Sequence, residues 1–457
     1  MLKVLIVSLV GLTSAVAQNA DLGFRQRVDS IVANALASSG VPSASVAIIQ
    51  SGKIAYVHAY GKARLEPPLV ATPEMAYSIG SISKQFTATA VLMLAEDGKL
   101  SLDDPVSRFI PDLTRANQVT IRELLSHTSG YQDYWPQDYV PPFMMQPTTA
   151  DRILDLWARK PLDFDPGTDW QYSNTNFVIA GLIVEKASGM PLLQFLSKRI
   201  FAPLDMKSVI NIDQDHLPDS DPIGYLRYAL GPPRVAPKEG KGWLFAAGEL
   251  AMPVEDLAKW DLGLMDQRLL KAASYKEMET EVLLKNGVGA RYGLGITVHE
   301  EFGRRALIHG GEVSGFTAEN MIFPDDRAAV VVFVNQDSSP ASENIARAIA
   351  PLLFAVNKEQ SEEQALGILV SLQQGKIDRS LFTQNCNSYF TDQAIKDFSS
   401  SLLPLGIPKS FNQTEQTERG GMTFHEFEVQ FGQKTISIWE RVMPDGKIEQ
   451  FQISAKD

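Results

Sequence analysis

Cysteine is almost absent from this chain. Among 457 residues there is one, Cys386. An intramolecular disulfide is therefore excluded, and stability has to come from packing. With no basic partner near it in sequence, Cys386 reads as a small buried apolar residue and not as a nucleophile. Positive charge is also scarce. Lys and Arg total 42 against 54 Asp and Glu, a net charge of −12. That balance argues against nucleic acid and against an anionic membrane surface as partners. The six histidines are scattered, with no pair at i, i+4, so neither a metal nor another cofactor is expected. There is no glycine-rich phosphate loop, no repeat and no low-complexity segment.

Long apolar runs are missing too, apart from one at the start. Lys3 precedes an apolar stretch from Val4 to Val16, and Ala15-Val16-Ala17 is a small-x-small site. This is the pattern of a signal peptide over residues 1–17, cleaved near Ala17. The stretch is too short for a comfortable membrane span. The expectation is an exported product, periplasmic or secreted, without a membrane anchor.

What the chain does have is an ordered set of three short motifs. The first is Ser81-Ile82-Ser83-Lys84, after the turn glycine Gly80 and at the mouth of a helical run ending at Asp97-Gly98. A serine at a helix start presents its hydroxyl beside free backbone N–H groups. A lysine three residues on lies one turn along the same face, within reach of that hydroxyl. The second is Tyr172-Ser173-Asn174, and the third is His309-Gly310-Gly311. Singly, each has a plain structural reading: Ser81 as a helix cap, Lys84 as a surface lysine, Tyr172 as core, Asn174 as the cap of a helix over 175–187. As an ordered set they are what a serine hydrolase without a histidine base needs.

An amphipathic helix is predicted over Ala20–Ser39, and a hairpin of strands over Ser43–Gln50 and Ile54–Gly61. Residues from about 99 to 235 hold proline-punctuated short helices, at Thr120–Ser126, Ala150–Arg159, Asn174–Ala187 and Leu192–Phe201. Strand patterns return at Tyr292–Val298, Ala306–His309, Phe316–Phe323 and Ala328–Val334, followed by a helix over Ser342–Phe354. The implied fold is α+β: an antiparallel sheet flanked by helices, with an inserted all-helical lobe. One hydrolase domain spans 18–356. A linker beginning Asn357-Lys-Glu-Gln opens an accessory α+β domain over 357–457, a helix followed by strands that turn at Pro444-Asp445-Gly446. Its pattern is loosely similar to cystatin-like domains.

From about residue 24 to 352 the sequence resembles the β-lactamase-related serine hydrolases. That group includes class C β-lactamases, D-alanyl-D-alanine carboxypeptidases, D-aminopeptidases and β-lactamase-like esterases. Ile121-Arg-Glu-Leu-Leu-Ser-His-Thr-Ser-Gly130, Phe164-Asp-Pro-Gly167, Ala246-Ala-Gly248 and Tyr292-Gly-Leu-Gly295 carry the likeness beside the three motifs. It implies Ser81 as the acylated nucleophile, Lys84 and Tyr172 as a coupled acid–base pair, and Asn174 bonded to the lysine and substrate. A Lys84 ammonium is expected to stabilise a Tyr172 phenolate. The resemblance further implies His309, Gly310 and Gly311 as the strand on which substrate lies, and the Ser81 and Glu312 N–H groups as the oxyanion hole. His309 stands where many relatives have a lysine, which removes a fixed positive charge. His127 reads as structural. Tyr131, Tyr134 and Trp135, in a loop with Pro136, Pro141 and Pro142, are candidate cleft walls.

The expected activity is hydrolysis of an ester, a D-amino-acid amide or a β-lactam through a Ser81 acyl-enzyme, on a small molecule or short peptide. Two alternatives stand beside it. One is a penicillin-sensitive D-alanyl-D-alanine carboxypeptidase or true β-lactamase. The other is a non-turnover ligand-binding sensor.

Overall fold

The computed structural model describes residues 9–135, 140–354, 358–432, 434–443 and 446–456. The first eight residues of the expected leader, Pro136, Asn357, and Pro444 with Asp445 lie outside these. Two compact units are present. One takes the chain to Leu353, and the other takes Phe354 onward together with Phe302–Arg304.

The first unit is built on a seven-stranded sheet. Its centre is Ser43–Gln50, paired antiparallel with Lys53–Arg64 on one side and with Ala328–Val334 on the other. Next come Phe316–Phe323, then Arg304–Val313, then Thr297–Glu301 at the edge. The central strands are buried on both faces, so they read as continuous apolar runs and not as an alternation. Ala47, Ile49, Ala329, Val331 and Phe333 face the large core formed with the helix Ser83–Glu96 and the inserted lobe. Val46, Ile48, Val330 and Val332, also fully buried, take the opposite face. Among the described residues no single helix is long and apolar enough to cross a membrane.

Three local features differ from the sequence expectation. The first helix runs over Leu9–Ser39 and so begins before Ala20. The strand expected from Tyr292 begins at Thr297. Gly295, at φ +77°, turns the chain there, and a Cβ on it would lie 2.9 Å from both the Lys84 carbonyl oxygen and the Ala88 Cβ. That segment is folded against the helix Ser83–Glu96 and does not continue the strand. The inserted lobe joins its short helices by long irregular stretches and adds a short hairpin, Tyr225–Leu226 with Arg234–Val235.

The second unit holds the helices Lys358–Gln373 and Asp392–Leu402 and a four-stranded antiparallel meander from Ser410 to Lys456. Phe427, Val429 and Ile438 are fully buried in its core with Leu369 and Phe451, while Glu426, Glu428 and Gln430 alternate with them outward. Cys386 is buried there as well.

Candidate active site

Ser81 sits in a single 3-10 turn, Gly80–Ile82, that leads directly into the helix Ser83–Glu96. Gly80 takes φ +51°, a conformation few side chains tolerate. The strand Arg304–Val313 crosses this turn at backbone distance. A Cβ on Gly80 would stand 2.6 Å from the Glu312 backbone nitrogen. A Cβ on Gly311 would run into the Ile79 carbonyl oxygen and lie 3.2 Å from the Ser81 nitrogen. Both glycines are thus required by packing, and the Ser81 and Glu312 N–H groups sit on facing backbones as an oxyanion hole needs.

Lys84 is fully buried. Its Nζ lies 2.9 Å from Ser81 Oγ, 2.8 Å from Asn174 Oδ1 and 2.8 Å from the Ala247 carbonyl oxygen. The last two oxygens can only accept. A neutral lysine amine has two N–H bonds and one lone pair, so satisfying those two acceptors aims the lone pair at the serine hydroxyl. Burial lowers the Lys84 pKa to about 7, with the nearby Asp133 charge opposing that shift. The amine is therefore about half neutral near pH 7.

Tyr172 hydrogen-bonds Ser81 and is pushed up in pKa, chiefly by burial of its hydroxyl and further by the Asp133 charge. Its ring centroid is 5.0 Å from Lys84 Nζ. Burial opposes the expected phenolate stabilised by Lys84. Desolvation of the hydroxyl favours the phenol.

Asn174 is the first residue of the helix Asn174–Ser188, whose cap position falls on Ser173. Its amide is fixed from behind by Asp133. Asp133 Oδ1 accepts from the Asn174 backbone N–H at 2.9 Å, and Oδ2 from Nδ2 at 3.2 Å. That pair of bonds assigns the Asn174 oxygen to Lys84. Asp133 is mostly buried, and desolvation raises its carboxyl pKa to about 6. The sequence reading missed it. The available signal was an acidic residue in an otherwise aromatic loop, Tyr131-Gln-Asp-Tyr-Trp135.

His309 is buried and neutral. Its Nδ1 lies 2.6 Å from the Gly310 carbonyl oxygen, so Nδ1 carries the hydrogen. Nε2 then accepts from the Tyr292 hydroxyl at 2.8 Å. Burial and the Lys84 charge lower the His309 pKa to about 4. His127 is brought to the site as well. Its ring stacks at 4.2 Å on Tyr172 and lies 4.9 Å from Tyr292, and its Nδ1 accepts from the Ser173 N–H at 3.2 Å. It supports the ring of Tyr172 and makes no bond to Ser81 or Lys84 among the described residues.

These groups open on a cleft of about 600 Å³ lined by Tyr134, Trp135, Met144, Trp170, Tyr292 and Leu244. Tyr134 and Trp135 wall it as expected, whereas Tyr131 is buried outside its lining. No group of three His, Cys, Asp or Glu side chains among the described residues could hold a metal.

Comparison with known proteins agrees with this geometry. The Beta-lactamase family matches residues 28–353, and the chain belongs to that family of serine hydrolases. It is 29% identical to a D-aminopeptidase of Brucella anthropi over 298 residues, 64% of this chain and 56% of that protein. It is 26% identical to penicillin-binding protein 4* of Bacillus subtilis over 360 residues, 76% of this chain and 78% of the relative. Thus the chain spans only about half the length of the D-aminopeptidase. Among solved structures, a D-amino acid amidase from Ochrobactrum anthropi superposes with a TM-score of 0.64 at 26% identity, covering 72% of this chain and 98% of the amidase.

Proposed function

We propose that the protein is an exported acyl hydrolase in which Ser81 is the nucleophile and Lys84 its base, acting on esters or small D-amino-acid amides. The observation that carries this reading is the buried Lys84 amine, whose two fixed acceptors aim its lone pair at the Ser81 hydroxyl. As the Ser81 Oγ–carbon bond forms, the hydroxyl proton passes to Lys84. The carbonyl oxygen takes negative charge between the Ser81 and Glu312 N–H groups. As the leaving C–O or C–N bond breaks, a proton departs with the leaving atom. Tyr172, kept as a phenol beside Ser81, is the group placed to supply it and to be restored from Lys84. Water repeats the sequence in reverse on the acyl-enzyme. Asp133 acts through Asn174 and is a positioning residue.

The preference for esters and D-amino-acid amides over β-lactams is supported by the neutral, buried His309, which offers no fixed charge to a carboxylate. The named activities of the D-aminopeptidase and amidase relatives point the same way. Export rests on Lys3, the apolar Val4–Val16 stretch and Ala15-Val16-Ala17.

The test is intact-protein mass after brief incubation with a penicillin, beside turnover of p-nitrophenyl acetate, D-alanine p-nitroanilide and nitrocefin, with Ser81→Ala in parallel. Ser81-dependent ester or anilide turnover is expected. A long-lived penicillin adduct without turnover would move the assignment to a penicillin-sensitive carboxypeptidase. Fast nitrocefin turnover would move it to a β-lactamase. Equal ligand binding by wild type and Ser81→Ala with no hydrolysis would leave the sensor.

A further inference from the structure

One acidic side chain on the cleft wall is not used by the acylation chemistry. Glu319 lies on the strand Phe316–Phe323, directly opposite Gly310. Opposed residues share a face of the sheet, and Glu319 Oε2 is the atom nearest to where a Gly310 Cβ would stand, at 3.2 Å. Only 7% of Glu319 is exposed. Its carboxyl receives no hydrogen bond from any described residue. Its oxygens are not fully enclosed, so the carboxyl opens on the cleft, which Thr297, Ser342 and Glu343 also line.

The surrounding charge has one sign in excess. Glu343 and Glu301 act on Glu319 from the neighbouring helix and edge strand, and the one cation acting on it is Arg347. That guanidinium is already engaged, by Glu343 at 2.8 Å and by Glu301. Three carboxyls therefore share one guanidinium, with the His299 imidazole 3.6 Å from Glu301, and the unpartnered carboxyl borders the cleft. Among the described residues these side chains do not group as metal ligands do, and the complementary ligand for such an acidic recess is an organic cation. A primary ammonium suits it, since its three N–H donors match a carboxyl in a cleft that the hydroxyl-bearing Thr297 and Ser342 also line.

We propose that this recess, formed by Glu319 with Glu343 beside it, is a subsite for a primary ammonium group, carried by the substrate or by a separate small amine. The substrate case rests on the acyl-hydrolase reading; the binding case does not. Burial, reinforced by the Glu343 charge, raises the Glu319 carboxyl to about 8, so it is mostly protonated at pH 7. An arriving ammonium ionises it and releases a proton.

Calorimetric titration with n-butylammonium chloride, in two buffers of different ionisation enthalpy, reads that proton directly. Wild type and Ser81→Ala are expected to bind with release of nearly one proton at pH 7. Glu319→Gln should bind at least tenfold more weakly, with no release. Equal affinity in Glu319→Gln would overturn the subsite. If that variant does not fold, wild type alone decides. Release should fall towards zero at pH 9, where the carboxyl is already ionised and an alkylammonium is still charged; equal release at both pH values would overturn it. The two sources separate kinetically. A tenfold rise in KM for 6-aminohexanoate p-nitrophenyl ester in Glu319→Gln, with none for the hexanoate ester, assigns the ammonium to the substrate. Amine binding without that split assigns it to a separate amine. A complete lack of Ser81-dependent hydrolysis would sink the hydrolase reading and leave the calorimetry standing.

Discussion

The site network of the first unit and the sheet core of the second both bury ionisable side chains, and they do it in opposite ways. In the first, Lys84 has three oxygen partners within 2.9 Å, and Asp133 bonds Asn174 twice. In the second, His425 and Glu440 are almost completely buried as a cross-strand pair with a single bond of 3.0 Å. Each of that pair keeps one atom, His425 Nε2 and Glu440 Oε2, without any partner. The first network converges on a cleft; the second lies within a sheet core. Burial of polar groups by itself therefore does not mark chemistry. Convergence of hydrogen-bonded groups on a concave surface does.

The strongest way to sharpen this contrast is to remove the reacting groups. Ser81→Ala and Lys84→Met should each lower ester turnover by about 10³-fold or more. The urea unfolding midpoint of Ser81→Ala should stay close to wild type. The pH profile follows from the sign of the Lys84 shift. The neutral amine is the working form, so kcat/KM should rise with pH through a limb near 7. His309, at about 4, should add no limb between pH 5 and 9. A flat profile across pH 6–8 would remove Lys84 as the base.

Asp133→Asn comes next. It turns an acceptor into a donor opposite Asn174 Nδ2, and it removes the one charge that raises the Lys84 pKa. Turnover should fall by about 10- to 100-fold, or 1.4 to 2.7 kcal/mol of barrier. The kcat/KM limb should move to lower pH. A fall in activity with the limb unmoved would make Asp133 merely structural. The smallest effects belong to the accessory unit. His425→Leu should cost about 1–3 kcal/mol of stability by stranding Glu440, read by urea unfolding. His425→Leu with Glu440→Leu should recover most of that, because replacing a buried pair by apolar residues is close to neutral. Neither should change ester turnover. A loss of turnover in the double variant would break the comparison.

Ser81, Lys84, Tyr172, Asn174 and the His309-Gly310-Gly311 strand were legible as an ordered set, because each motif fixes local backbone or spacing on one helix face. The central strands were legible as apolar runs. Asp133 was not, because its role depends on a loop folding back on a helix start forty-one residues later. Nor was Glu319, whose surroundings come from a sheet pairing and a helix distant in sequence. The Tyr292 segment misled because Gly-Leu-Gly after an aromatic fits a strand as well as a turn. Only its approach to the Lys84 carbonyl decides. The protonation of Tyr172 was not legible, because desolvation is a property of the packed site and not of the motif.

The close crossing of Gly80 and Gly311 has a consequence for how such a site can change over generations. Each backbone vetoes a side chain on the other, so substitutions at the catalytic turn and its strand are mutually forbidden. New substrate preferences must then be sought by altering the rim around Trp135, Met144 and Leu226, where a residue can be exchanged without disturbing the chemistry beneath it.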